Sequence, residues 1–129
     1  MTLLDSVTAN LDQHHIQYAL IGAAALAVHG ISRSTADQDL LVVDPEVLGS
    51  EIWMPIASSA SVDIRPGDAD DPLMGVVRLR ARNERDVDIV VGRHHWQHEV
   101  LGRAVRMGSL PVVVASDLIV TLIDENVRD

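Results

Sequence analysis

The chain has 129 residues, 47% of them hydrophobic and 22% charged, so one domain able to bury an ordinary core, with no room for a second, is expected. All 10 of its cationic residues are Arg, they face 19 Asp and Glu for a net charge of −9, and there is no Cys. Disulfides, lysine Schiff bases and Walker-type phosphate lysines are therefore excluded, and a basic surface that grips DNA or RNA non-specifically is not expected.

Met1-Thr2-Leu3-Leu4-Asp5 carries no basic leader into a long apolar run, so a cytoplasmic protein without membrane contact is expected. Leu3, Leu4, Val7, Leu11 and Ile16 recur at helical spacing and predict a helix over about 2–15. Tyr18 to Ile21 reads as a short strand ending at Gly22, and Ala23 to His29 as a helix stopped by Gly30. After a polar loop, Asp37 to Val43 reads as a buried strand. Pro45 suits the first turn of a helix to about Ala60, with Val47, Leu48, Ile52 and Ile56 on one face and Pro55 as a kink or early stop. The stretch from Arg65 to Pro72 reads as a loop. Val76–Arg82 and Val87–Val91 predict two strands around Asn83-Glu84-Arg85, followed by a helix from about His94 to Arg106. Leu110 to Val114 is a last short strand, and Ser116 or Asp117 is placed to cap a final helix. The whole is a mixed α/β (α+β) domain over residues 1–129, without repeats or linkers.

Asp37 and Asp39 lie two apart at the mouth of a strand, a spacing that puts both carboxylates on one face. Like charges held together call for a cation or a shared proton, and a set of hard oxygens suits Mg²⁺ or Mn²⁺. Ile21-Gly22-Ala23 marks a strand-to-helix turn, where backbone N–H groups hold phosphate oxygens well. Val87-Asp88-Ile89 sets one carboxylate inside an apolar strand, which calls for an Arg partner or a metal.

The apolar-Gly turn, the helix, the D-x-D at a strand start and the later lone Asp together resemble the nucleotidyltransferase superfamily that includes polymerase-beta-like enzymes. The likeness is densest from Tyr18 to Val43, including His29-Gly30, Arg33 and Thr35, and extends to Leu110–Ile119. It is similar above all to the small bacterial branch of minimal nucleotidyltransferases and abortive-infection nucleotidyltransferase-like toxins. The resemblance implies a mixed sheet flanked by helices. It also implies Gly22 and Ala23 as the phosphate turn with Arg33 and Thr35 nearby, and Asp37, Asp39 and Asp88 as catalytic ligands of Mg²⁺ or Mn²⁺. The activity implied is transfer of a nucleoside monophosphate from an NTP to a hydroxyl on a small molecule, protein or RNA. Ala23 where the family has Gly or Ser, Gln38 between the two Asp, and no Lys in the Leu118–Ile123 stretch keep a second reading open. In it the fold is a non-catalytic partner, as in a toxin–antitoxin pair, and a protein partner or homodimer fits either case.

Arg78, Arg80 and Arg82 make one face of their strand basic, and a three-residue loop Asn83-Glu84-Arg85 sets Arg82 opposite Asp86 and Arg80 opposite Asp88. Arg80 is thus expected beside Asp88, as an ordinary cross-strand pair or as a contact to nucleotide phosphate. Asp63, between Val62 and Ile64, competes with Asp88 for the third carboxylate. His94 and His98 share a helical spacing that zinc uses, but a solvated helix start explains them better.

Overall fold

The structure, a computed structural model, describes residues 2–21, 37–70, 73–107 and 110–113, with Asp37 described by its place in a strand. The expected helix over Ala23 to His29, the phosphate turn and the final helix lie outside these residues.

Helix α1 (Leu3–Gln13) begins with a capping box: the Thr2 hydroxyl accepts from the Asp5 N–H, and the Asp5 carboxylate accepts from the Thr2 N–H. Those bonds hold the Asp5 carboxyl below its usual range, the Thr2 N–H contributing most. The Glu84 carboxylate accepts from the Leu3 N–H at 2.9 Å, which ties the helix start to a distant hairpin turn. At the other end the Ile16 N–H reaches the Leu11 carbonyl at 2.9 Å and the His15 N–H the Asp12 carbonyl at 3.1 Å, the bonding pattern of a Schellman motif. His15 takes the left-handed residue of that motif, with φ 58°. A side chain there costs conformational energy that Gly avoids. His15→Gly should therefore stabilise the domain by roughly 0.5–1 kcal/mol and raise Tm by a few degrees in a thermal melt.

Seven strands form one mixed sheet: β1 (Ala19–Ile21), β2 (Asp37–Val42), β3 (Ser61–Pro66), β4 (Leu73–Arg80), β5 (Asp86–Gly92), β6 (Val105–Met107) and β7 (Leu110–Val112). Their order across the sheet is β3-β4-β5-β2-β1-β7-β6. The β2–β5 and β1–β7 pairs are parallel and the others antiparallel. Leu40, Leu41 and Val42 are all buried, as a central strand covered on both faces requires. On β5, Val87, Ile89 and Val91 are buried while Asp86, Asp88 and Val90 are half-buried on the other face. The buried set joins Val7 and Leu11 of α1 in one core, and each fully buried aliphatic side chain contributes about 1.5–3 kcal/mol.

The structure corrects four sequence expectations. The segment from Pro45 to Ala60 is not one helix: a 3-10 turn (Pro45–Leu48), a second (Glu51–Trp53) and helix α2 (Met54–Ala57) follow one another. Gly49 and Ser50 interrupt the first turn, and Pro55 has no N–H with which to continue a helix. Arg65 and Pro66 belong to edge strand β3 rather than to a loop. Helix α3 (His95–Gly102) is shorter than the expected span to Arg106, and β6 takes the residues beyond it. Gln97, buried at its first turn, accepts from the Arg93 and His94 N–H groups at 2.6 and 2.7 Å and so caps α3 from within. The fourth correction concerns the β4–β5 hairpin, whose register bears on the site.

Candidate functional site

Parallel pairing of β2 with β5 sets Asp37 opposite Asp86 and Asp39 opposite Asp88. Residues paired in this way share a face, and neighbouring strands lie about 4.8 Å apart. Asp39 and Asp88 therefore stand side by side on the face away from Leu40 and Ile89. On β1 the same row continues with Ile21, opposite Asp39, so the end of β1 lies beside the acidic pair. On the other flank Asp88 pairs with Arg78 of β4, and Arg78 with Asp63 of β3. One row thus runs Ile21, Asp39, Asp88, Arg78, Asp63 across five strands.

The Arg78 guanidinium donates to both oxygens of Asp88, Nε to Oδ1 and Nη2 to Oδ2, each at 2.7 Å. Only 13% of the Asp88 side chain is exposed, and 34% of Arg78. A bidentate fork fixes the plane of the carboxylate. Arg80, expected beside Asp88, instead approaches Asp86 at 3.3 Å, with 57% of its side chain exposed. The loop between β4 and β5 spans residues 81–85 and not 83–85, so the register is two residues from the expected one. An odd loop of either length keeps the arginines and aspartates on one face, and the shared face was correctly expected. What the residue pattern lacks is any signal that separates the two loop lengths.

Asp63 does not join the acidic pair. Arg78 stands between it and Asp88, and its carboxylate accepts from Arg65 Nε at 2.8 Å. Gly22, Ala23, Arg33 and Thr35 lie outside the described residues, as does the side chain of Asp37. Among the described residues no group of three His, Cys, Asp or Glu side chains is arranged to hold a metal. His95 approaches Glu99 at 3.3 Å on the exposed side of α3. No described helix is long and apolar enough to cross a membrane.

The donor set nonetheless suits a divalent cation. A carboxylate offers about four lone-pair positions, and the Arg78 fork uses one on each oxygen. Asp88 keeps acceptor capacity beside Asp39, and carboxylate oxygens are hard donors of the kind Mg²⁺ and Mn²⁺ take.

Strand order, mixed pairing and flanking helices together make this a seven-stranded mixed sheet with helices against it. The chain is similar to a crystal structure from Thermotoga maritima, TM1012, which is provisionally described as a nucleotidyltransferase. The TM-score is 0.61 at 14% identity, covering 98% of this chain and 88% of that one. Identity so low establishes the fold alone. A second structure, terminal uridylyl transferase 4 from Trypanosoma brucei with bound GTP, shares 17% identity over 67% of this chain and 27% of its own, with a TM-score of 0.41. So partial an overlap carries no weight. No protein-family model matches the sequence, and no curated protein matches it either.

Proposed function

We propose that the chain is a metal-dependent nucleotidyltransferase that moves a nucleoside monophosphate from an NTP to a hydroxyl acceptor. The observation that supports this reading most is the register of β2 on β5, which sets Asp39 beside Asp88 at the end of the sheet where β1 leads to Gly22. In this reading Asp37, Asp39 and Asp88 hold Mg²⁺ or Mn²⁺, while Gly22 and Ala23, with Arg33 and Thr35, receive the phosphates. The bound cation would supply charge neutralisation for the triphosphate and for the leaving pyrophosphate. The chain's own part is orientation. Asp88, held in one plane by Arg78, accepts the proton of the acceptor hydroxyl. The acceptor oxygen forms its bond to the α-phosphorus, the bond from that phosphorus to the α–β bridging oxygen breaks, and pyrophosphate leaves with the electron pair.

One observation favours the non-catalytic reading: the Arg78 fork already balances the charge of Asp88, and so lowers the need for a cation there. Thermal melts with Mn²⁺ and each NTP decide between the two, because a ligand that binds only the folded state raises Tm. A metal-dependent rise of several degrees with at least one NTP is expected, together with its loss in Asp39→Ala. No rise with any NTP overturns the enzymatic reading, and labelled NTPs offered with candidate acceptors then identify what is modified.

A further inference from the structure

Beside Arg78, on the flank of Asp88 away from Asp39, a cavity of about 370 Å³ opens over β3 and β4. Its lining includes Arg65, Pro66, Gly67, Val76 and Arg78, so an apolar floor meets two guanidinium groups. Small-molecule sites have this size and this mix of apolar wall and few charged groups. The Gly67 N–H bonds the Met74 carbonyl at 2.8 Å and holds that part of the wall, and the chain just beyond it is held by Arg93, which donates from Nη1 to the Ala69 carbonyl at 3.0 Å and from Nη2 to that of Asp68 at 3.2 Å. Strand order puts the end of β1 at Ile21 on one side of the acidic pair and this cavity on the other. A donor nucleotide on the β1 side leaves the cavity side for the second substrate.

We propose that the cavity receives the anionic group of the acceptor, a small hydroxyl-bearing phosphate ester or carboxylic acid, and so delivers its hydroxyl to Asp88. The assignment rests on the nucleotidyltransferase reading. Arg65 is the group that takes the anion. It is 74% exposed, and its pair with Asp63, itself 48% exposed, is of the kind that holds weakly in water and exchanges readily for a bidentate phosphate or carboxylate. Arg78 stays on Asp88 and fixes the distance between the two ends of the acceptor.

The test titrates the ¹⁵N-labelled full chain, without metal or nucleotide, with inorganic phosphate and separately with acetate. Saturable amide shifts at Gly67, Gly75 and Val76 are expected, at least tenfold weaker in Arg65→Gln and several-fold tighter in Asp63→Asn, where the competing carboxylate is gone. Arg82→Gln, the loss of an exposed turn arginine of equal charge, should leave them unchanged. The stronger of the two anions distinguishes a phosphate ester from a carboxylic acid. No saturable shift at the cavity, or equal weakening in Arg65→Gln and Arg82→Gln, overturns the proposal. If the cavity fails while Mn²⁺ and an NTP still raise Tm through Asp39, the acceptor assignment falls alone. If the cavity binds phosphate but no NTP raises Tm, the enzymatic reading falls and takes the acceptor role with it.

Discussion

Arg78→Ala should lower the unfolding free energy by roughly 2–3 kcal/mol, whereas Arg80→Ala should cost under about 1 kcal/mol. The two arginines lie on one face of β4 and each meets an aspartate of β5, but their surroundings differ. Asp88 is 13% exposed and receives two bonds of 2.7 Å, so removing Arg78 strands a charge that water reaches poorly. Full burial would make the loss about 3–5 kcal/mol, and the partial exposure of the guanidinium brings it below that range. Arg80 and Asp86 are 57% and 29% exposed at 3.3 Å, a pair that solvent screens. Urea denaturation of both variants checks the contrast, and Arg78→Met with Asp88→Leu should recover most of the loss because no bare charge remains. Mn²⁺ adds a functional arm. If Asp88 holds a cation, Mn²⁺ should raise the Tm of Arg78→Ala more than that of the unaltered chain, since the ion takes over charge balance from the missing guanidinium. Equal shifts in the two would argue that Asp88 serves the sheet alone.

Residue patterns reveal the parts of this site that depend on strand alternation and miss those that depend on register. Val87, Ile89 and Val91 alternating with Asp86 and Asp88 announce a strand with a core face and a polar face, and that is the arrangement found. The neighbour of Asp88 is another matter. Loops of residues 83–85 and 81–85 satisfy the same parity, and the second prevails with Asn83 in the left-handed region at φ 63°, a conformation Asn tolerates well. Edge strand β3 stays hidden because its side chains are largely exposed and Arg65-Pro66-Gly67 reads as a turn; its strand character comes from pairing with β4. The stretch from Pro45 to Ala57 misleads for the opposite reason. Val47, Ile52 and Ile56 are all buried, and successive 3-10 and α turns present an apolar face much as one helix would. The adjacency of Asp39 and Asp88 needed the family resemblance, since no local spacing relates residues on two strands separated by a hairpin and three short helical turns.

Trp53→Ala is expected to remove roughly 4 kcal/mol, a large share of the total for a domain of this size. Trp53 is 1% exposed, and its Nε1–H donates to the Val47 carbonyl at 2.7 Å. Truncation leaves a cavity the size of an indole and an unsatisfied carbonyl inside the core. Trp53→Phe keeps much of the volume and loses the donor, and should cost about 1–2 kcal/mol. Trp96 lies at the margin of the core, and Trp96→Phe should cost less than either. The location of the damage is the sharper forecast. Trp53 clamps the Pro45–Leu48 turn, which packs against β3 and β4, while the adjoining Ile52 carbonyl accepts from Asn10 of α1 at 2.8 Å. Loosening the clamp frees the turn beneath β4, and with it the strand that carries Arg78 to Asp88. Hydrogen exchange in Trp53→Phe should therefore accelerate at β3 and β4 before β1 and β2, and Mn²⁺ with nucleotide should protect β2 and β5 more than it restores β3. Uniform acceleration across the sheet would mean that the turn does not support the arginine strand separately from the core.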